Sequence, residues 1–461
     1  MSMDDQHGSV SPLERYTPGA AFRVRRNIAK DTILNALPPS RKREGTYKIS
    51  HALPVTAQAV IDAVKAAASN PARVFVLSVS HDDFMSTCGG VQNCIGDEQV
   101  ALAEAGVPYL SICPNVPLLA LSQQTDVTTF EVLVAVDGQR VGMLYLSDLI
   151  NVVRTMSGEG FRGQAVVHHM LGYAPEHLVH LVSECSLGRP YLWIHDAFTI
   201  CPSIHLLRNE MTFCGAPKAT SMACHVCNSG AERVTHEQRI AALFSALHPI
   251  VVAPSRTMAD FWKRATHYPH AHVLVEPPAT LQFTKDLDAI GDGPIRIAFL
   301  GVPAIHKGWH VFESLARWYA NDSRYAFVHV GFSDGVIPGT QFQHVNVTRE
   351  DRAAMIDALV SLDVHVTINW SLCFESFSFT THESFAAGAY VIARAGAGHV
   401  ATLLRSDYAD RGLELDSEVQ LQALLAGDGL VERVRQARRS RGVMTPGSGV
   451  SARIIEELSH A

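Results

Sequence analysis

Short apolar runs alternate with helix-forming segments along most of the chain, and this alternation constrains the fold more than any other feature. Runs such as residues 73–79, 108–112 and 295–300 are short, rich in β-branched residues and bounded by turn-forming residues. Such runs are typical of buried strands. Because helical patterns at residues 55–68 and 308–320 fall between strands of this kind, we expect parallel sheets covered by helices on both faces.

The alternation falls into two series, which predicts two doubly wound α/β domains with a ligand cleft between them at the carboxyl ends of the strands. The predicted divisions, in chain order, are a flexible leader (1–50), a first domain (51–276) with a Cys-rich insertion (197–232), a linker rich in Pro, Asp and Gly (277–294), a second domain (295–430) and a basic C-terminal tail or helix (431–461).

Composition narrows the class of protein. A chain of 461 residues that is 47% hydrophobic and 18% charged can bury large cores and is not disordered overall. The net charge of −7 combines basic ends with an acidic middle, which argues against nucleic-acid binding. The sequence begins with a polar segment and contains no unbroken apolar stretch of membrane-spanning length, so we expect a cytoplasmic protein.

Four of the nine cysteines are clustered in sequence. In a cytoplasmic protein, cysteines are expected to be reduced thiols or metal ligands. One C-x2-C pair among four thiols fits a structural zinc ion, which would brace a segment of low apolar content. An iron–sulfur cluster and four unmetallated thiols are the alternatives, and His205 and His225 are spare candidate ligands. The four expected ligands are Cys201, Cys214, Cys224 and Cys227.

The most informative segment covers residues 369–388, where an apolar strand is followed by a Ser/Thr-containing run and a helix. Backbone N–H groups at the start of that helix would form an anion site suited to a diphosphate. The predicted donor-binding residues in this run are Ser376, Phe377, Ser378, Phe379 and Thr380.

Two glutamates flank this run. Glu375, seven residues and Glu383, followed by Ala386-Ala387-Gly388, resemble the E-x7-E signature of retaining GT-B glycosyltransferases, the group 1 or family 4-like enzymes. The resemblance implies two Rossmann-like domains, a catalytic Glu375 that contacts sugar hydroxyls, and a Glu383 that binds the ribose of the donor. The alternative is a pair of solvated helix glutamates.

A second motif supports the same resemblance. Gly301 ends a strand, and Lys307-Gly308 opens a helix shortly afterwards. In the family, the matching lysine neutralises the diphosphate leaving group, and we carry this role to Lys307. An arginine that many members have after the strand glycine is absent here, and His306 is the nearest substitute. The alternative for Lys307 is an ordinary exposed lysine.

The first domain contributes weaker signals. Gly89 and Gly90 resemble the glycine loop by which the family brings backbone close to the donor. His195 and Asp196 end a predicted strand at the cleft. The resemblance implies that His195 contacts the donor sugar, and Asp196 is the second candidate for donor binding. For two other strand-end histidines, His168 and His169, a structural role and a role at the site are both open.

The resemblance implies a retaining hexosyltransferase, for which we expect no catalytic cofactor and no metal in the chemistry. Its partners would be a nucleotide-sugar donor and a glycan or lipid-linked acceptor, in polysaccharide or glycoconjugate biosynthesis. The basic ends favour peripheral contact with an anionic membrane at its inner face. A nucleotide-sugar epimerase or phosphorylase of GT-B shape, and a non-catalytic glycan-binding protein, are the alternatives.

Overall fold

The computed structural model describes residues 52–86, 89–116, 118–333 and 337–459. The predicted leader at residues 1–50 lies outside them. Within these ranges the chain forms two Rossmann-like α/β units, so the predicted fold class is confirmed.

The first domain is built on a mixed sheet. Its elements are α1 (Ala57–Ala67), β1 (Val74–Val79), α2 (Gly90–Glu104), β2 (Tyr109–Pro114), β3 (Glu131–Val136), β4 (Gln139–Tyr145), α3 (Leu146–Gly158), β5 (Arg162–Val167), α4 (Pro175–Glu184), β6 (Tyr191–Trp193), β7 (Leu207–Arg208), β8 (Thr212–Phe213), α5 (Met222–His225), α6 (Gly230–Leu247), β9 (Ile250–Ala253), α7 (Arg256–Ala265) and β10 (Val273–Val275). In the described residues the strand order is β10-β9-β6-β5-β1-β2-β3-β4, parallel from β10 to β2 and antiparallel from β2 to β4.

The second domain is built on a parallel sheet. The remaining elements are β11 (Ala279–Asp286), β12 (Ile295–Leu300), a 3-10 turn (Ile305–Lys307), α8 (Trp309–Trp318), β13 (Tyr325–Gly331), β14 (Thr340–His344), α9 (Ala354–Ser361), β15 (Val366–Asn369), α10 (Phe379–Ala386), β16 (Tyr390–Arg394), α11 (His399–Arg405), β17 (Gly412–Leu415), α12 (Glu418–Ala426), α13 (Gly429–Gln436), β18 (Ser440–Pro446) and α14 (Ser451–Ser459). The described strands follow the order β14-β13-β12-β15-β16-β17, all parallel.

Burial explains why these runs form central strands. Every residue of β1 and β2 is buried, as expected for strands with helices on both faces. Thr56 caps helix α1, and its hydroxyl accepts a hydrogen bond from the Ala59 N–H at 3.2 Å. The helix packs Val60 and Val64 into the core.

The predicted linker and tail differ from what the structure shows. Strand β11, inside the predicted linker, pairs antiparallel with β18, inside the predicted tail. After β18 the chain returns to the first domain, where Val450 and Ile454 pack in a core with Val76 and Trp193. The predicted tail is therefore an integral part of both domains, because its apolar residues are removed from water by packing against them.

Candidate active site

The strand order of the second sheet reverses between β12 and β15. In open α/β sheets, ligands bind outside the carboxyl ends of the strands at such a switch point. The segment with Lys307 follows β12, and the segment with Glu375 follows β15. The two residues selected from separate sequence motifs therefore come from the two strands that flank the switch point.

Lys307 and Glu375 form an ion pair. The Lys307 Nζ donates to Glu375 Oε1 at 2.8 Å, with the lysine side chain 45% exposed and the glutamate side chain 11% exposed. Burial opposes the charged ammonium, but the negative charge of Glu375 outweighs it and raises the pKa of Lys307 above its ordinary value. Lys307 is therefore a cation held at the switch point.

A glycine shapes the backbone beside this lysine. Gly308 has a φ of 77°, in the left-handed region, and separates the 3-10 turn from α8. A Cβ atom at this position would lie 2.2 Å from the Trp370 carbonyl oxygen. Only glycine therefore fits here without displacing the loop that leads to Glu375.

The ion pair lies in the wall of a pocket. Its lining comes from the ends of β12 and β15 and from one face of α10. The lining residues are Phe299, Leu300, Lys307, Thr367, Ile368, Asn369, Glu375, Thr380, Thr381 and Ser384. Of the predicted donor-binding residues, the pocket includes Thr380 but not Glu383.

Helix α10 begins at Phe379, so Ser376 and Phe377 belong to the preceding loop rather than to the helix N-terminus. Ser378 caps the helix: its hydroxyl accepts a hydrogen bond from the Thr381 N–H, with the oxygen and nitrogen atoms 3.4 Å apart. The expectation that all five N–H groups from Ser376 to Thr380 point out of a helix is therefore wrong for the first two. The cap shifts the helix start to Phe379.

Glu383 lies on α10 and is buried, at 7% exposure. Burial raises the pKa of Glu383 from 4.5 to about 7, partly offset by the charge of Arg352. Arg352 itself binds Asp97 of the first domain, with its two terminal nitrogens 3.1 and 3.3 Å from the carboxylate oxygens. This buried carboxyl therefore lies near an ion pair that joins the two domains.

First-domain groups contact the loop before α10. The Ser376 hydroxyl donates to the His195 carbonyl oxygen, and the Ser255 hydroxyl donates to the Ser376 carbonyl oxygen at 2.6 Å. A Cβ atom on Gly90 would lie 3.5 Å from the Phe379 ring. Gly89 precedes α2 in extended backbone, which any residue can adopt. The structure therefore brings His195 to the loop that holds Glu375, and Gly90 to Phe379 at the start of α10.

His195 and Asp196 are held by neighbouring histidines. The His195 Nε2 lies 3.2 Å from His168 Nδ1, and the His195 ring stacks on Trp193 at 4.6 Å. Burial, with the charges of His168 and His169, keeps the pKa of His195 well below its ordinary value. Asp196 Oδ2 lies 3.1 Å from His169 Nε2. His195 is therefore a neutral imidazole at neutral pH.

Phe377 stacks on a neighbouring ring and does not line the pocket. Its ring lies 4.3 Å from His382 at an interplanar angle of 11°. The side chain is buried, so it packs the loop rather than presenting an open face.

His306 does not supply the second positive charge for which it was the nearest substitute. Burial, followed by the charges of His205 and Lys307, lowers the pKa of His306 to about 2, so the ring is neutral. It stacks instead on His205 of the Cys-rich insertion, with ring centroids 4.3 Å apart.

The four clustered cysteines line one pocket of about 310 Å³ together with Arg233. The Arg233 Nη1 donates to Cys224 Sγ at 2.9 Å. Burial raises the pKa of Cys201 to about 12 and raises that of Cys214. Across the described ranges, no three His, Cys, Asp or Glu side chains are grouped so that they could hold a metal ion. The zinc site stays a prediction.

No protein-family model matches the chain, and no curated protein matches it. Among solved structures it is similar to HepE of Anabaena in complex with UDP-glucose, with 10% identity and a TM-score of 0.44 over 84% of this chain and 98% of that chain.

Two further structures are similar at the same level. One is WaaG, a glycosyltransferase involved in lipopolysaccharide biosynthesis, with 14% identity and a TM-score of 0.42 over 84% of this chain and 94% of that chain. The other is a UDP-glucosyltransferase of Polygonum tinctorium, with 12% identity and a TM-score of 0.43 over 85% of this chain and 99% of that chain.

In the part of the chain that the structure describes, no helix has the length and apolar character needed to cross a bilayer.

Several residues at the site were missed from the sequence. Asn369 donates to the Thr381 hydroxyl at 2.8 Å and so ties the end of β15 to α10. Arg352 and Asp97 meet across 255 positions of sequence, which no local pattern reveals. Helix α2 buries the polar residues Gln92, Asn93, Glu98 and Gln99, and their burial became visible only in the structure.

Proposed function

We propose that this chain is a retaining GT-B glycosyltransferase that moves a sugar from a nucleotide-sugar donor to a glycan or lipid-linked acceptor. The observation that carries the proposal is the Lys307–Glu375 ion pair, which lies at a switch point and opens onto a pocket beside the start of α10. A cation, a carboxylate and helix N–H groups at one such site suit a sugar joined to a diphosphate.

In this proposal Lys307 serves the leaving group. The diphosphate gains negative charge as the glycosidic bond breaks, and a preorganised cation stabilises that charge more in the transition state than in the ground state. The raised pKa of Lys307 keeps it protonated throughout. Fixed charge and helix N–H groups would do this work without a divalent metal.

Glu375 and Glu383 would hold the rest of the donor. When a diphosphate draws Lys307 towards itself, the Glu375 carboxylate loses its partner and becomes free to accept hydrogen bonds from sugar hydroxyls. Glu383 would accept from the ribose hydroxyls. Its pKa of about 7 means that this carboxyl changes charge near neutral pH, so donor affinity should depend on pH there.

The transfer step would retain configuration. The bond between the sugar and the phosphate oxygen breaks, and the acceptor hydroxyl attacks the sugar carbon from the same face. Its proton passes to the departing phosphate oxygen. His195 would contact the donor sugar, and the acceptor would approach from the first domain.

We further propose that the enzyme works in the cytoplasm in polysaccharide or glycoconjugate biosynthesis, with peripheral contact to an anionic membrane. The structure gives several tail arginines internal partners: Arg438 pairs with Asp286 at 3.5 Å, and Arg439 donates to the Gly388 carbonyl oxygen at 3.1 Å. These contacts hold part of the tail on the protein, so membrane contact would depend on the basic residues that have no such internal partner.

The test is a panel of nucleotide sugars incubated with the protein and a set of glycan and lipid-linked acceptors. Acceptor-dependent release of nucleoside diphosphate, unaffected by EDTA and giving a product with the anomeric configuration of the donor by NMR, supports the proposal. Release that needs no acceptor indicates an epimerase, and release that requires inorganic phosphate indicates a phosphorylase. Binding of glycans without turnover of any donor indicates a non-catalytic protein.

A further inference from the structure

Helix α2 buries polar side chains where a helix packed on a sheet normally buries apolar ones. Glu98 is the extreme case, because its side chain is fully buried. A carboxylate taken out of water is destabilising unless hydrogen-bond donors compensate it. The contacts of Glu98 should therefore explain why it is there.

Three donors surround the Glu98 carboxylate. Its Oε1 lies 3.1 Å from His168 Nε2 and 3.2 Å from the Tyr109 hydroxyl, and its Oε2 accepts from the Val450 N–H at 3.0 Å. A carboxylate can only accept, so the proton at this contact lies on His168 Nε2. Glu98 thereby fixes the proton and the ring orientation of His168.

His168 passes this constraint to His195. The His168 Nδ1 lies 3.2 Å from His195 Nε2, and the two rings are parallel to within 10°. Trp193 stacks on the His195 ring at an interplanar angle of 4°. Both histidines are buried, so water competes little for these contacts.

The chain of contacts ends at the candidate active site. The His195 carbonyl oxygen accepts from the Ser376 hydroxyl, and Ser376 follows Glu375 directly. At the other end, Val450 precedes α14, the helix that returns to the first domain. The contacts thus run from the returning tail, through Glu98 and His168, to the residue that faces the donor loop.

We propose that Glu98 and His168 are positioning residues that hold the His195 imidazole in one orientation and one protonation pattern at the cleft. The inference rests on the proposed function for the role of His195, but the positioning itself can be tested without it. Neither residue needs to touch substrate, because both act through His195.

The direct test is NMR of the full chain with 15N-labelled histidine rings. The His195 and His168 signals are identified by their loss in His195→Gln and His168→Gln. We expect Glu98→Gln to shift both signals at neutral pH. The single amide oxygen is uncharged and can accept a hydrogen bond from the His168 Nε2–H or from the Val450 N–H, but not from both as the two carboxylate oxygens do. The matched control is His177→Gln, another fully buried first-domain histidine, which should leave both signals in place.

The kinetic test uses the donor on which the parent protein acts. We expect Glu98→Gln to lower kcat by about tenfold or more with the donor KM within about twofold, and Glu98→Asp to recover part of the loss. Glu98→Asp carries both tests if Glu98→Gln does not fold. Unchanged His195 signals in folded variants, or shifted signals with unchanged kcat, would overturn the proposal. Shifted signals in a protein whose parent turns over no donor would uphold the positioning and refute the proposed function.

Discussion

Replacing Glu383 by glutamine should change how the stability of the protein depends on pH. Burial raises the pKa of this carboxyl to about 7 in the folded protein, against 4.5 as its ordinary value. Between these two values the unfolded chain releases the proton while the folded protein keeps it. Rising pH therefore favours the unfolded state, and the parent protein should lose stability across this window.

The size of the effect follows from the two pKa values. Each pH unit between them is worth about 1.36 kcal/mol, so the parent should lose up to about 3 kcal/mol of unfolding free energy once the pH is above both. Glutamine has the shape of the protonated carboxyl and does not titrate. Glu383→Gln should therefore match the parent near pH 4.5 and exceed it by up to about 3 kcal/mol in mildly alkaline solution.

Urea unfolding of both proteins at a series of pH values, followed by fluorescence of the buried tryptophans, measures this difference. Glu414→Gln is a suitable control, because the Glu414 carboxylate is paired with the exposed guanidinium of Arg405. Parallel stability curves for the parent and Glu383→Gln would refute the reasoning, because they would mean that the carboxyl titrates alike in both states.

Three further predictions concern the loop, the cysteines and the membrane. In urea unfolding, Gly308→Ala should lower the unfolding free energy by clearly more than Gly396→Ala. Both glycines have a positive φ, but of the two only Gly308 would place an added Cβ against backbone atoms. Equal losses of unfolding free energy would contradict this reasoning. Elemental analysis of tag-free protein should find about one zinc per chain, bound by the four clustered cysteines; no zinc, with fully titratable thiols, would contradict that prediction. Flotation should recover the protein with anionic but not neutral vesicles, and less at high salt; binding that is absent or indifferent to salt would exclude electrostatic docking.

The fold was predictable because its signal is local. Apolar runs such as β1 and β12 are enough by themselves to predict buried strands, and their alternation with helices restricts the possible fold topologies. The pairing of β11 with β18 was not predictable in this way. These strands lie over 150 positions apart and are only partly buried, so neither shows the apolar pattern of a core strand.

The residues of the candidate site likewise divide into those that a local motif predicts and those that depend on distant partners. Lys307 and Glu375 could be selected because each lies in a short motif after its own strand, and the switch point then brings them together. The neutral state of His306 depends on burial against His205, which is 101 positions away. The roles of Glu98 and Arg352 likewise depend on partners from distant segments, which a single sequence does not reveal.

The central claim, that a nucleotide-sugar diphosphate binds at Lys307, is tested most directly by a thermal-shift screen of nucleotides and nucleotide sugars on the parent protein, Lys307→Met and Lys65→Met. Lys65 is a control because it pairs with Glu159 in the first domain, away from the switch point. A ligand at a hundred times its Kd stabilises a protein by about 2.7 kcal/mol, which such a screen detects. We predict that at least one nucleoside diphosphate or its sugar raises the Tm of the parent and of Lys65→Met, and that the shift is largely lost in Lys307→Met. An equal shift in all three proteins, or no shift with any nucleotide, would contradict the claim.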